Sequence, residues 1–199
     1  LMISTEPYMG RNPGLVPVSN SEIQTFKDCR RKWWLQYYRG LARKKREMVS
    51  PLTLGSRVHN ALEAFYKHGQ DPVEVYSTLL EIDEEIFQAS GDDNDEKKHK
   101  AFYSDAELGR IMLEGYLEWL EETGADADIE VTGAEEKISA IVLDGRVELQ
   151  GKTDLKVRDR SNNARLILDH KTAATFQTYY QTAHMSEQLM LYAMLERLR

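Results

Sequence analysis

Apolar and aromatic positions recur at helical spacing through Ile23, Phe26, Trp33, Trp34, Tyr37 and Leu41, behind an S-x-x-E capping signature at Ser19 and Glu22. This predicts a helix over 20–39 that ends near Gly40. Residues 1–18, with Pro13, Gly14 and Pro17, show no period and read as an extended arm. A second helix is expected from Gly55, with Val58, Leu62, Phe65 and Tyr66 on one face and Gly69 as its stop. A third runs over 72–89 with Pro72 at its start, followed by a solvated loop, GDDNDEKKHK, at 91–100. A fourth runs from Ser104 to Glu122, with its own capping box in Ser104 and Glu107. The third and fourth form a helical lobe at about 70–125.

After Gly124 the texture changes to β. Strands are expected at 129–143, 147–157 and 164–172, separated by Asp144-Gly145 and Ser161-Asn162-Asn163, and two tight connections imply an antiparallel meander. A last helix from Ser186 to at least Leu198 carries Leu189, Tyr192, Met194 and Leu195. It reaches Arg199 without a stop signal, which leaves open that the sequence is a fragment. The expected fold class is α/β, a mainly antiparallel central sheet flanked by helices, with residues 19–199 as one domain.

Composition changes this picture in two places. The chain has no apolar run of membrane-spanning length and no signal-peptide pattern, and its single cysteine, Cys29, fits a reducing compartment, so a soluble cytoplasmic protein with no membrane partner is expected. The net charge of −7 argues against a polyanionic partner, but residues 27–46 hold nine Lys/Arg against one Asp. Arg30, Arg31, Lys32, Arg43 and Lys44, with Lys45 and Arg46, could track phosphates, while exposed rings of the same segment could stack on unpaired bases. The alternative is that Trp33, Trp34, Tyr37 and Tyr38 are mostly core with only the charges outside, and at least two of these rings are expected to be core.

The candidate chemistry lies on the expected strands. Alternation along LILDHKT puts Ile167, Asp169 and Lys171 on one side and Leu168 and His170 on the other. Asp154, in GKTD on the preceding strand, can lie near Asp169 across the hairpin. Two close carboxylates repel, and a divalent cation is the usual remedy; hard oxygen ligands suit Mg²⁺ or Mn²⁺. Such a cation would neutralise developing charge and activate water in phosphodiester hydrolysis, with Lys171 beside the attacking water. On spacing alone, Asp169 and Lys171 read more readily as a solvated strand edge.

Five motifs in order shift that balance: the helix with Ser19, Ser21, Ile23, Phe26 and Cys29, then G-S-x-V-H-x-A-L-E at 55–63, G-K-T-D at 151–154, L-D-H-K-T at 168–172 and Q-L-M-L-Y at 188–192. Together, over about residues 19–192, they resemble the RecB-like exonuclease branch of the PD-(D/E)XK nuclease superfamily, which includes phage exonucleases and CRISPR-associated iron–sulfur exonucleases. The resemblance implies His59 and Asp154 as metal ligands, Asp169 as the third ligand and Lys171 as the catalytic lysine. It places the family's Q-x-x-x-Y on Gln188 and Tyr192, one turn apart on the last helix, to position the DNA backbone or the lysine; Tyr192 reads equally as a core aromatic. Without the resemblance, His59 reads as a satisfied, half-buried histidine. Glu63, one turn beyond His59, supports the site or is a solvated carboxylate. Glu135 and Glu136 fall on opposite faces of their strand, so at most one can face the metal, and both are left out of the ligand set. The iron–sulfur members use three further cysteines beyond the last helix. Cys29 is therefore a cluster ligand only in a longer chain, and otherwise a buried helix residue.

The expected function is a metal-dependent DNA exonuclease in recombination, repair or replication, acting on single-stranded DNA or DNA ends, with a recombination or helicase protein as a potential partner. The alternative is a non-catalytic nucleic-acid-binding module that keeps the nuclease fold.

Overall fold

A computed structural model describes residues 14–41, 47–173, 175 and 177–198. Strand β1 (Val16–Ser19) leads into α1 (Asn20–Asp28) and α2 (Arg30–Trp33), which runs on into a π-helical turn at Trp34–Tyr38. Then follow α3 (Pro51–His68), α4 (Pro72–Ala89), a 3-10 turn (Asp92–Asn94) and α5 (Glu96–Thr123). The β region comprises β2 (Ile129–Val142), β3 (Val147–Asp159) and β4 (Arg165–Leu168), and the chain ends through α6 (Gln177–Thr182), a 3-10 turn and α7 (Glu187–Leu198). The expected α/β class is what is found. No described helix is long and apolar enough to cross a membrane.

The chain divides into two compact units, residues 47–135 with 154–172, and residues 1–46 with 136–153 and 173–199. In the first, α3, α4 and α5 pack around Val58, Ala61, Leu62, Tyr76 and Leu113, with a second cluster of Met48, Phe87 and Phe102. Arg57 is buried among these helices. Its guanidinium meets Asp83 at 2.7 Å, donates to the Met48 carbonyl and lies over the Phe102 ring. The carboxylate is what makes a buried charge tolerable. A third cluster, Ala134, Leu155 and Val157, lies under the strands of this unit, where β4 pairs antiparallel to β3 with Leu155 opposite Leu168.

In the other unit β1 pairs parallel to β3, Val16 opposite Val147, a pairing that the periodless sequence of residues 16–19 does not announce. Here β2 and β3 are joined by a turn at residues 143–146, with Arg146 N–H donating to the Leu143 carbonyl. Its central residues, Asp144 and Gly145, both have positive φ, the conformation that makes Asp-Gly a hairpin signal. Glu187, on α7, holds Lys27 of α1 at 2.6 Å.

Several boundaries differ from the expectation. The helix predicted over 20–39 is interrupted at Cys29, whose extended backbone (φ −158°, ψ 106°) ends α1 and whose Sγ accepts from Lys32 N–H to start α2. Cys29 is exposed, which corrects its reading as a buried helix residue. Helix α3 starts four residues before Gly55, because Ser50 caps it and Pro51 fits its first turn. Helix α5 starts at Glu96, capped by Asp95, so Ser104 and Glu107 sit inside it and much of the expected 91–100 loop is helical. The last strand is four residues long and ends before Asp169.

Candidate metal centre

Within the unit of residues 47–135 and 154–172, three elements deliver side chains to one place. Helix α3 brings His59, β3 brings Asp154, and β2 brings Glu135. One ligand atom from each lies within 4.8 Å of the others. Ligand atoms about 2.1–2.2 Å from a shared ion are at most about 4.4 Å apart, so the group is within a few tenths of an ångström of that spacing. Nitrogen from one imidazole and oxygen from two carboxylates suit a hard or borderline divalent cation.

Each position has a local cause. Gly55 lies one turn before His59, and a Cβ on it would stand 2.9 Å from Thr172 Oγ1, so the glycine lets α3 approach the DHKT segment. Glu135 sits in the middle of β2 with φ +52°, in the left-handed region. A non-glycine residue held there costs about 1–3 kcal/mol and locally interrupts the regular pleat; of Glu135 and Glu136, which alternation puts on opposite faces, it is Glu135 that joins His59 and Asp154. No residue pattern in the sequence marks that kink.

Asp154 Oδ2 meets His59 Nδ1 at 3.3 Å and accepts the His170 main-chain N–H at 2.8 Å. That second bond explains why β4 stops. The β3–β4 register would next pair Asp154 with Asp169, but the Asp154 side chain takes the neighbouring amide, and the chain leaves the ladder. Asp169, His170 and Lys171 therefore follow a strand end rather than alternate along a strand. Asp169 and Lys171 still meet, Lys171 Nζ lying 2.6 Å from Asp169 Oδ2, with the Asp169 side chain only 6% exposed. Asp169 is not in the group formed by His59, Glu135 and Asp154.

The electrostatics follow from these contacts. The hydrogen bond to Asp154 holds the His59 imidazole above its ordinary pKa against the opposing effect of burial, with the Asp154 and Glu135 charges adding to it. Burial pushes the Asp154 carboxyl up, but His59, the His170 N–H and the Lys171 charge outweigh it and the net shift is downward. Burial lowers His170, so its ring favours the neutral form.

The other residues with an expected role have contacts of their own. Glu63 meets Lys67, one turn further along α3, at 3.2 Å. Arg30, Arg31 and Lys32 are exposed on α2; Arg43 and Lys44 lie outside the described residues. Trp34 and Tyr38 are exposed and stacked with centroids 6.4 Å apart, Arg39 lying over Trp34, while Trp33 and Tyr37 are half-buried. In the unit of residues 1–46, 136–153 and 173–199, Gln188 Nε2 donates to the Tyr192 hydroxyl at 2.8 Å. Tyr192 is buried against Gly151, where a Cβ would meet its ring at 2.5 Å. Both residues line a cavity of about 390 Å³ shared with Ser19, Asn20, Ser21, Lys137 and Lys152, and among the described residues no carboxylate lines it.

The family model of the PD-(D/E)XK nuclease superfamily matches residues 17–198 of the chain. No curated protein sequence matches it.

Proposed function

The chain belongs to the PD-(D/E)XK nuclease superfamily, and from that membership we propose a Mg²⁺- or Mn²⁺-dependent deoxyribonuclease of the RecB-like exonuclease type, acting on DNA ends in recombination, repair or replication. The reading rests on the convergence of His59, Glu135 and Asp154 on one point, with the Lys171–Asp169 pair close enough for its charge to act on His59 and Asp154.

In this reading His59, Glu135 and Asp154 hold the cation. When bound, it supplies Lewis-acid neutralisation of phosphoryl oxygens and a more acidic water. Asp169 keeps the Lys171 ammonium in place by a charge-assisted contact, and Lys171 offers a proton and a positive charge to the oxygens on which negative charge develops. Partial burial of Asp154 and Asp169 lowers the effective dielectric around them and strengthens these interactions. The lysines and hydroxyls around Gln188 and Tyr192 suit a DNA phosphate, and the basic face of α2 suits the rest of the strand.

The test is cleavage of linear and circular DNA, single- and double-stranded, with Mn²⁺. Degradation of linear but not circular substrate supports an exonuclease; cleavage of both equally turns the reading to an endonuclease. Undiminished cleavage by both Lys171→Ala and Asp154→Ala would remove the site assignment. A protein that binds DNA but neither Mn²⁺ nor cleaves would be the non-catalytic module instead.

A further inference from the structure

A hydrogen-bonded ladder leads away from Asp154, and of its members only His170 falls in a motif of the sequence. Its far end is Asp126, whose Oδ2 accepts the Tyr66 hydroxyl proton at 2.7 Å. The Tyr66 hydroxyl has then spent its only proton, so the contact between Tyr66 and Tyr116 has Tyr116 as donor. The Tyr116 oxygen in turn lies 3.4 Å from His170 Nε2, and with its own proton committed it accepts. The direction is thus fixed end to end: His170 Nε2–H to Tyr116, Tyr116 to Tyr66, Tyr66 to Asp126. The His170 ring is also clamped by packing, stacked on Tyr66 (centroids 5.7 Å, 26°) and edge-on to Tyr116 (5.9 Å, 85°).

A ring stacked on one tyrosine, edge-on to another and bonded at one nitrogen fixes the backbone that carries it. The main-chain N–H of His170 is what Asp154 Oδ2 accepts, on the same oxygen that meets His59. All the residues concerned belong to one compact unit, with Tyr66 on α3, Tyr116 on α5 and Asp126 between α5 and β2. We infer that His170, Tyr116, Tyr66 and Asp126 are positioning residues that set the orientation of the Asp154 carboxylate for the divalent cation, acting through the His170 main-chain amide. This rests on the reading of His59, Glu135 and Asp154 as the cation's ligands.

The ladder gives His170 a defined tautomer, and this separates it from inert packing. The test uses the full chain and Mn²⁺ alone, with Tyr116→Phe and Asp126→Asn, each keeping the shape of the residue it replaces. Calorimetric titration of Mn²⁺ is expected to show affinity weakened by roughly ten-fold in each variant, the lower end of the range for groups that orient a metal ligand from behind. The loss of DNA cleavage in each variant should be largest at limiting Mn²⁺ and shrink as Mn²⁺ is raised, because the variants weaken binding of the cation. Nitrogen NMR of the imidazoles should show His170 as the Nε2–H tautomer in the parent and a mixture in Tyr116→Phe. Parent-like Mn²⁺ affinity in both folded variants, or the Nδ1–H tautomer in the parent, overturns the inference while leaving the metal site standing. Failure of the parent itself to bind Mn²⁺ removes the metal reading and the inference with it. Should one variant not fold, the other and the parent's tautomer decide.

Discussion

Gly55 approaches Thr172 so closely that an added Cβ would stand 2.9 Å from the threonine Oγ1. The two lie in separate motifs more than a hundred residues apart, and their approach sets the distance from α3, which carries His59, to the segment that carries Asp169 and Lys171. Gly55→Ala is expected to weaken Mn²⁺ binding and to lower stability by about 1–3 kcal/mol, the usual cost of overpacking. Thr172→Ala in the same chain removes the opposing atom and should recover most of both. A double variant no better than Gly55→Ala in urea unfolding and Mn²⁺ titration would show that the approach is unimportant.

The proposed ligand group, His59, Glu135 and Asp154, differs from the one that the resemblance implies, and the difference is measurable. Glu135→Gln and Asp154→Asn should each weaken Mn²⁺ binding by at least about ten-fold. Asp169→Asn should weaken it less and act on the rate instead, through Lys171, with a loss of about 10²-fold or more in cleavage at saturating Mn²⁺. Equal losses of affinity in Asp154→Asn and Asp169→Asn, read by calorimetry, would make Asp169 a direct ligand.

His59 and Asp154 shift in opposite directions, which defines a pH window. The His59 pKa is raised above 6.5, so its contribution to stability is full below that value and is lost as pH rises through the raised one. The Asp154 pKa is lowered below 3.8, so its contribution is present above that value and is lost as pH falls through the lowered one. In chelator-treated protein the stability difference between the parent and His59→Gln should therefore be largest near pH 5–6 and shrink towards pH 9. Mn²⁺ needs His59 deprotonated, so its affinity should rise over the same interval, with proton release on binding. A stability difference that grows with pH would contradict the pairing.

The buried pair Arg57–Asp83 belongs to the support rather than the chemistry. Asp83→Ala leaves an arginine 2% exposed without its counter-charge and should cost about 3–5 kcal/mol in urea unfolding. A loss below about 1 kcal/mol would mean that the pair is effectively solvated.

Much of this protein is legible in the sequence because the signals are local. Pro72 and Gly69 bound their helices, Asp144-Gly145 turns the hairpin, and the motif order carries His59, Asp154, Asp169 and Lys171 into a single compact unit. Capping was legible only where it agreed with the pattern. Ser104 and Glu107 imitate a helix start yet lie inside α5, because propagating a helix costs less than nucleating a new one. Similarly, the aromatic run from Trp33 to Tyr38 gives no sign of the break at Cys29, which depends on a backbone conformation rather than a residue type.

Period, turn chemistry and motif order thus suffice for the fold class, most of the element order and the superfamily. They do not give the contacts around Asp154. That Glu135 joins His59 and Asp154, that Asp169 carries Lys171, and that Asp126, Tyr66, Tyr116 and His170 form a ladder behind Asp154 emerge only once the chain is folded. The reason is physical. Alternation predicts which face a strand residue takes only while the strand stays regular. Here a left-handed residue in β2 and a carboxylate that captures an amide at the end of β4 both break that regularity, at the place where the chemistry is assembled.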